Sequence, residues 1–147
     1  AFAKTDHGQV QWRSALTWQH FRLDGDPNFG NNRLPGLPSV AARAEAAYRF
    51  GASSWAPGLA IGVNVQHVGE HAVDFARTLF SPAHTLVGAK LAHDVNPHWS
   101  WFVEGRNLAD KKHASTTGIV RNAAGLDSAQ FLPGDGRAVY AGISFKL

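Results

Sequence analysis

The chain has 147 residues, a formal net charge of +3 and no cysteine. This length predicts one domain, and without cysteine neither a disulfide framework nor a thiolate metal site is available. No run approaches the roughly 20 apolar residues of a membrane-spanning helix, and the scattered basic residues argue against a nucleic-acid partner. Methionine is absent, including at position 1, which suggests a processed or excised piece.

Period-2 alternation of apolar and polar side chains runs through most of the sequence and predicts strands. In residues 39–50 the charges recur every two positions, so a strand is favoured, although the alanines there also suit a helix. In the closing segment every second residue from Val139 to Leu147 is apolar. The six predicted strands are 9–23, 39–50, 59–66, 83–95, one that begins at Trp99, and 136–147.

The predicted connections alternate between long and short, being 24–38, 51–58, 75–82, 94–98 and 114–135 in chain order. Outer-membrane barrels combine short periplasmic turns with long extracellular loops. The pattern therefore predicts an all-β, antiparallel up-and-down meander, a partial transmembrane β-barrel with both termini on the periplasmic side. Aromatic residues near the short turns are expected to form an interface girdle: Tyr48, Phe50, Trp55, Trp99, Trp101 and Phe145.

Two elements near the end of the chain carry a resemblance to a known family. They are Asn107-Leu108-x-Asp110-Lys111 and Pro133-Gly134-x-Gly136-Arg137, separated by a long loop and followed by the final strand. Together they resemble the C-terminal end of TonB-dependent outer-membrane receptors. Further segments that look like the family's, in the same order along the chain, are 31–38, 73–78 and 85–91.

The resemblance implies a bacterial outer-membrane location and a role in a receptor that imports a scarce nutrient complex, commonly a ferric siderophore. It implies transport without enzymatic activity or a cofactor. The implied partners are outer-membrane lipid, a plug domain, the remaining barrel strands and, through them, the TonB system.

The chain also departs from the family pattern. Receptors of the family have about 22 strands around a plug, whereas six strands, no plug and no TonB box are predicted in residues 1–147. The chain is therefore expected to be the C-terminal part of a longer receptor barrel; a degenerate or truncated copy, and a fragment that pairs with another copy, are the alternatives. Unpaired edges cost several kcal/mol per backbone group in lipid, so a fragment in isolation would have to cover its edges by pairing with another copy. The family's usual terminal aromatic is replaced by Leu147.

Candidate functional residues fall into three groups. Glu104 and Arg106 share a parity and are expected to pair, and Arg43, Glu45 and Arg49 face either a lumen or solvent. Asn107 and Asp110 are expected to bond loop backbone, and the glycines of the second motif are expected to supply positive φ in a turn. The candidate ligand contacts in the first long loop are Asn28, Phe29, Asn31, Asn32 and Arg33, and the structural motif residues are Asn107, Leu108, Asp110, Lys111, Pro133, Gly134, Gly136 and Arg137.

Two alternatives remain open at this point. A small soluble β-barrel or sandwich that binds an apolar ligand would place its apolar residues inside. A zinc hydrolase is suggested by His67-x-x-Glu70-His71, which matches an inverted zinc-peptidase motif. That motif needs a helix, and here it ends a β-alternating run. No metal, Ser/His/Asp or paired-carboxylate site is predicted.

Overall fold

A computed structural model of the chain describes residues 1–5, 7–127 and 130–146. These residues form strands, turns and loops, and no helix among them has the length and apolar character needed to cross a membrane. The all-β prediction is confirmed, and the helical alternative for residues 39–50 is wrong. The strands are β1 (Phe2–Thr5), β2 (Gly8–Trp18), β3 (Val40–Phe50), β4 (Leu59–Val68), β5 (His71–Ala72), β6 (Phe80–Ser81), β7 (His84–Asp94), β8 (Trp99–Arg106), β9 (Ala114–Thr117), β10 (Phe131–Pro133) and β11 (Ala138–Phe145).

One antiparallel sheet of seven strands dominates the structure, in the order β1-β2-β3-β4-β7-β8-β11. Apart from two small hairpins, neighbours in the sheet are neighbours in sequence, so the predicted meander is confirmed. The hairpin β9–β10 lies inside the predicted connection 114–135, and of the hairpin β5–β6 only β6 lies inside the predicted connection 75–82. The sheet has two ends, β1 and β11, and does not close into a barrel within the described residues.

Seven strands form the sheet where about six were predicted, because the four residues of β1 are too few to show a period in the sequence. Two predicted strand boundaries are wrong. The predicted strand 9–23 stops at Trp18, since the loop after it folds back and Leu23 N–H bonds to the Asn32 carbonyl. The predicted strand 136–147 forms only over Ala138–Phe145, and Leu147 lies outside the described residues.

The chain ends also differ from the prediction that both lie on the short-turn side. Lys146 does lie there, because its N–H donates to the carbonyl of His98 in the turn between β7 and β8. Ala1 instead lies beside the middle of β2, where its ammonium group donates to the Trp12 carbonyl at 2.8 Å.

The register of the sheet separates its side chains into two faces. Residues directly opposite each other on paired strands share a face, and successive residues alternate. One row across the sheet runs from Trp12 through Ala46 and Val63 to Ala89, while the next row contains Ala47 and Lys90. The apolar face includes Trp12, Leu16, Trp18, Ile61, Val63, Val65, Val87, Val103, Val139, Ile143 and Phe145, and the polar face includes Gln11, Arg13, Arg43, Glu45, Arg49, Asn64, Gln66, Lys90, Glu104, Arg106 and Tyr140.

The apolar face is uncovered. Leu16 is 72% exposed and Ile143 is 76% exposed, and no Asp, Glu, Lys or Arg of the seven described strands lies on this face. A soluble barrel or sandwich would bury such residues, so that alternative is wrong. Buried apolar residues lie in the loops instead, and they include Pro35, Ala72, Val73 and Ala123.

The aromatic girdle is found at the short-turn end of the sheet. The rings of Tyr48 and Phe50 are 4.8 Å apart, and Phe50 is 5.3 Å from Trp55. On the far side of the sheet, Trp99 and Phe145 are 4.7 Å apart. Aromatic rings that lie at one height along the strands are typical of a membrane–water interface.

The two faces can be tested with matched substitutions in β3. Ala46→Arg places a guanidinium on the apolar face at mid-strand, and in the bilayer-reconstituted protein it should lower the free energy of unfolding by about 2–4 kcal/mol, the cost of an arginine on the lipid-facing side of a barrel. Ala47→Arg puts the same group one residue away among polar-face side chains and should cost much less. Urea unfolding of the membrane-inserted protein, followed by tryptophan emission, measures both. Equal losses in the two variants would contradict the assignment of faces.

Candidate functional site

The polar face carries a ladder of charges across four strands. Arg13 in β2 pairs with Glu45 in β3 at 3.4 Å. Farther along the sheet, Glu104 in β8 accepts from Arg106 at 2.6 Å and lies 3.7 Å from Lys90 in β7. The predicted pairing of Glu104 with Arg106 is confirmed. Most of these side chains are exposed, so each pair adds little stability, and their importance is that they make one wall of a water-compatible interior.

A concave space of about 710 Å³ opens on this face beneath the long loops. Arg43, a predicted lumen candidate, lines it together with Gln66, Glu104 and Tyr140. The Arg106 guanidinium lies 4.9 Å from the centre of the Tyr140 ring, a cation–π contact. The arrangement presents mixed charges and hydrogen-bonding groups and is suited to a polar surface or solute.

The three long loops meet at the edge of the sheet opposite the short turns and form one layer. We name them L1 (19–39), L2 (69–83) and L3 (107–137, described except for 128 and 129). L1 contacts L2 through a hydrogen bond from the Gly36 N–H to the Ala72 carbonyl at 2.8 Å. L2 contacts L3 through the Phe75 and Ala76 N–H groups, which donate to the Val120 and Arg121 carbonyls.

Asp74 in L2 joins this layer together. Its side chain is fully buried, and one carboxylate oxygen accepts from the N–H groups of Thr78 at 2.9 Å and Leu79 at 3.1 Å. The other oxygen accepts from the Thr78 hydroxyl at 2.7 Å and the Ala123 N–H of L3 at 3.0 Å. Burial by itself raises the pKa of Asp74, but the hydrogen bonds from Ala123, Thr78 and Leu79 outweigh it and leave the pKa below its ordinary value.

No role for Asp74 was predicted from the sequence. The segment 73–78 was noted only for its resemblance to the family, and an aspartate in a loop usually serves a local turn. Its partner Ala123 is 49 residues away, so no local pattern could have identified this carboxylate as a link between loops.

The five candidate ligand contacts of L1 are not equivalent. Asn28 and Asn31 are exposed, although Asn31 Oδ1 accepts from the Gly25 N–H at 2.9 Å. Phe29 is half-buried, with its ring 5.8 Å from that of Phe75 in L2. The other two, Asn32 and Arg33, are also half-buried and bond to the Phe75 carbonyl and the Ser39 hydroxyl.

The first motif forms a tight connection at the end of β8. Asn107 is buried with φ +46°, and its side-chain amide donates to the carbonyls of Lys111 at 3.0 Å and Asp135 at 2.9 Å. Its Oδ1 accepts from the Lys111 N–H. Asp110 accepts from the Arg137 N–H at 2.9 Å just before β11. Both side chains thus hold the two ends of L3 together.

Leu108 completes this connection by a different contact. Its N–H donates to the Val87 carbonyl at 2.9 Å, and its side chain lies over Gly105, where a Cβ would meet the leucine Cδ2 at 2.6 Å. The glycine therefore makes room for the leucine.

The predicted role of the glycines in the second motif is wrong. Neither Gly134 nor Gly136 has positive φ. A Cβ on Gly134 would lie 2.1 Å from Nε2 of His113, and one on Gly136 would lie 3.2 Å from Oδ1 of Asp110. At Gly134 the missing side chain lets an imidazole ring pack against the backbone, and Pro133 immediately before it is the last residue of β10.

The zinc-peptidase interpretation also fails on geometry. His67 lies in β4, with Nδ1 2.9 Å from the Thr85 hydroxyl, and His71 lies in β5. The motif requires both histidines on one face of a helix, and residues 67–71 contain none.

An antiparallel wall with an apolar outer face, a polar inner face, short turns at one end and a layer of long loops at the other defines a class of protein. It is a segment of a bacterial outer-membrane β-barrel. The family is established by a second, independent finding. Residues 5–108 match the family model described as TonB dependent receptor-like, beta-barrel, and the chain belongs to that family.

Solved structures of receptors share the fold. The siderophore receptor PiuA from Acinetobacter baumannii is 20% identical with a TM-score of 0.72 over 96% of this chain and 20% of its own. The ferric-catecholate import receptor Fiu from E. coli K12 is 16% identical, with a TM-score of 0.68, and the match covers 92% of this chain and 20% of Fiu. The copper transporter OprC is 17% identical, with a TM-score of 0.65, and the match covers 98% of this chain and 22% of OprC. The chain therefore spans about a fifth of each receptor, and no curated protein matches the sequence.

Replacing Asp74 tests its role in the loop layer. Asp74→Asn keeps the shape of the side chain, but its amide nitrogen cannot accept a hydrogen bond where the second carboxylate oxygen did. At least one buried N–H therefore loses its partner, at a cost of about 1–3 kcal/mol. Faster hydrogen exchange of the Ala123 amide and faster thermolysin cleavage within L3 are expected. Asp24→Asn, at an exposed position of L1, is the control. The role assigned to Asp74 is contradicted if both variants leave L3 equally protected.

Acid should loosen the same layer. Because the pKa of Asp74 is lowered in the folded protein, its carboxylate stabilises the fold above the unfolded pKa of about 3.9, and this contribution is lost as the pH falls below that value. Protection of L3 from proteolysis by an acid-active protease should decline below about pH 4. In Asp74→Asn the protection of L3 should already be lower than in the wild type above this pH, and it should show no further acid-dependent decline. A decline of wild-type size in the variant would assign the acid dependence to other groups.

Proposed function

We propose that residues 1–147 are the C-terminal part of the barrel of a TonB-dependent receptor and that the receptor takes up a nutrient complex such as a ferric siderophore. The observation that carries the proposal is the two-faced wall, with its uncovered apolar face and charged inner face, in a chain that belongs to the receptor family. In this role the chain contributes wall and outer loops, and it acts in transport instead of catalysis.

The proposed partners follow from the two faces and the sheet ends. The apolar face contacts outer-membrane lipid, and the polar face, with Arg43, Glu45 and Arg49, meets a plug domain that communicates with the TonB system. Strands outside residues 1–147 pair with β1 and β11. If the piece exists alone, its exposed β11 edge pairs with the edge of a second copy, since unpaired backbone groups are costly in lipid.

The ligand contacts of the proposed receptor lie in the outer loop layer. Asn28 and Asn31 are the best placed of the L1 candidates, because both are exposed. Phe29 and Asn32 act mainly by holding L1 against L2 through their contacts to Phe75, and Arg33 acts by bonding to Ser39 within L1.

Ferric siderophore is favoured over a bare metal ion as the imported solute. Of the three similar receptors, PiuA is a siderophore receptor, Fiu imports ferric catecholate and OprC is a copper transporter. The concave space on the polar face, about 710 Å³, is also in the range of sites that hold an organic ligand.

Uptake measurements test the proposal. Cells that express the gene should accumulate radioactive iron supplied as a ferric catecholate complex, and a protonophore or deletion of the gene should abolish the accumulation. Asn28→Ala with Asn31→Ala should reduce uptake several-fold, whereas Asp24→Ala in the same loop should not. Copper accumulation without iron accumulation would reject the siderophore but keep the transport role. Absence of both, with the protein present in the outer membrane, would reject the function.

A further inference from the structure

We propose that His20, Arg22 and Arg33 bind the phosphate-bearing headgroup of an anionic lipid at the outer rim of the apolar face. All three residues belong to L1, which begins directly after Trp18, the last residue of β2. The site lies on the outside of the barrel wall. The proposal therefore does not depend on which solute the receptor imports.

The backbone carries the two faces of β2 past the end of the strand. Three alternate residues after Trp18 form backbone hydrogen bonds with the returning half of L1, and the pairs are Gln19 with Ser39, Phe21 with Leu34 and Leu23 with Asn32. In an extended segment alternate residues share a face. His20 and Arg22 therefore lie on the face of Trp18, which is the apolar face, and both are exposed. The lipid-facing column of β2 thus continues into two basic side chains.

The height of this column places the basic groups among lipid headgroups. Trp18 is 75% exposed, and exposed tryptophan on a lipid-facing surface is typical of the membrane–water interface. At about 3.3 Å per residue and a strand tilt of about 40°, His20 and Arg22 lie roughly 5 and 10 Å beyond Trp18 along the membrane normal. The headgroup layer on each side of the hydrocarbon core is about 5–8 Å thick. Because the arginine side chain is long enough to reach back toward that layer, both groups can contact headgroups.

No carboxylate balances the positive charge of this cluster. Arg33 lies directly opposite Arg22 in the antiparallel pairing of L1, and like charges in such a position destabilise the pairing. Arg22 Nε donates to Nε2 of His20 at 2.5 Å, and Arg33 donates to the Ser39 hydroxyl, so both arginines bond to neutral groups. Within the part of the chain that the structure describes, neither arginine forms a salt bridge, although Asp24 is nearby in sequence.

The imidazole of His20 responds to this charge and adds a donor to the cluster. Its pKa is lowered by loss of hydration and then by the positive charges of Arg22 and Arg33. Because Nε2 accepts from Arg22, the proton of the neutral ring is on Nδ1. That N–H and the guanidinium N–H groups can all donate to one anion, and phosphate oxygens are the acceptors that arginine binds most strongly.

Continuity with the apolar face identifies the anion as a lipid headgroup. Immediately below the cluster, Trp18 and Leu16 are 75% and 72% exposed and offer an apolar surface to acyl chains. A lipid can occupy both surfaces at once, whereas a soluble anion can use only the basic one. The net charge of the headgroup should be negative, because the ammonium of a zwitterionic headgroup would be repelled by the two arginines.

Native mass spectrometry of the full protein, purified in detergent micelles and titrated with dioleoylphosphatidylglycerol, tests the site. The first molecule of this lipid should bind more tightly than zwitterionic dioleoylphosphatidylcholine. Arg22→Gln and Arg33→Gln should each weaken that binding about fivefold, which is the contribution of one basic residue near an anionic lipid. His20→Ala removes one donor and should weaken it as well. The matched control is Lys4→Gln with Lys112→Gln, which removes two charges at exposed positions outside the cluster and should leave the affinity unchanged.

Two further measurements separate a lipid site from a site for a soluble anion. Trp18→Ala should weaken the binding of phosphatidylglycerol, and excess inorganic phosphate should not displace the bound lipid. Circular dichroism reports whether each variant keeps its strands. Displacement by inorganic phosphate, or unchanged lipid affinity in folded Trp18→Ala, would assign the cluster to a soluble anion and overturn the proposal. Equal affinities for the two lipids, or equal losses in the double variant of Arg22 and Arg33 and in the lysine control, would overturn it as well.

Discussion

The uncovered apolar face of the sheet is the constraint on which the rest of the structure depends. Burial of apolar area stabilises a fold by about 25 cal/mol per Å², and in water this sheet would bury almost none of it, since Leu16, Trp18 and Ile143 all remain more than two-thirds exposed. In the hydrocarbon core of a bilayer an apolar face can stay uncovered without this loss of stability. The hydrocarbon core imposes a second requirement, because no water is present to satisfy backbone groups, and every N–H and C=O of the spanning strands must be paired within the protein.

The meander meets the second requirement strand by strand. The strands β3, β4, β7 and β8 are paired on both sides for most of their length, whereas β2 is paired with β1 only over Gly8–Gln11, and pairing stops at the two ends of the sheet. A polar face follows from the same geometry, because every residue between two outward-facing ones must point to the other side. The salt bridges of Glu45 and Glu104 are thus better understood as the solvation of an interior wall than as a source of stability.

The loop layer solves a different physical problem from the sheet. Outside the bilayer the chain is in water, and the largest fully buried side chains of the described residues, Val73, Asp74 and Ser81, lie there. A buried carboxylate is costly unless its oxygens are bonded, and Asp74 uses them to accept from two loops. The same side chain therefore requires L2 and L3 to be assembled together, and it couples the position of one loop to that of the other.

Strand periodicity could be read from the sequence because every second residue of a strand lies on the apolar face, so the parity of a position alone predicts whether its side chain is apolar. The alternation from Leu59 to Val65 is an example. Asp74 obeys no such rule, since its hydrogen-bond partners come from L2 and L3 and are brought together only when the loops fold. Gly134 shows the same limit in a single residue: a glycine beside proline predicts a turn, but its function is to leave space for a ring 21 positions earlier in the chain. Local chemistry specifies the wall, whereas the site is specified by which loops the wall brings to the same end.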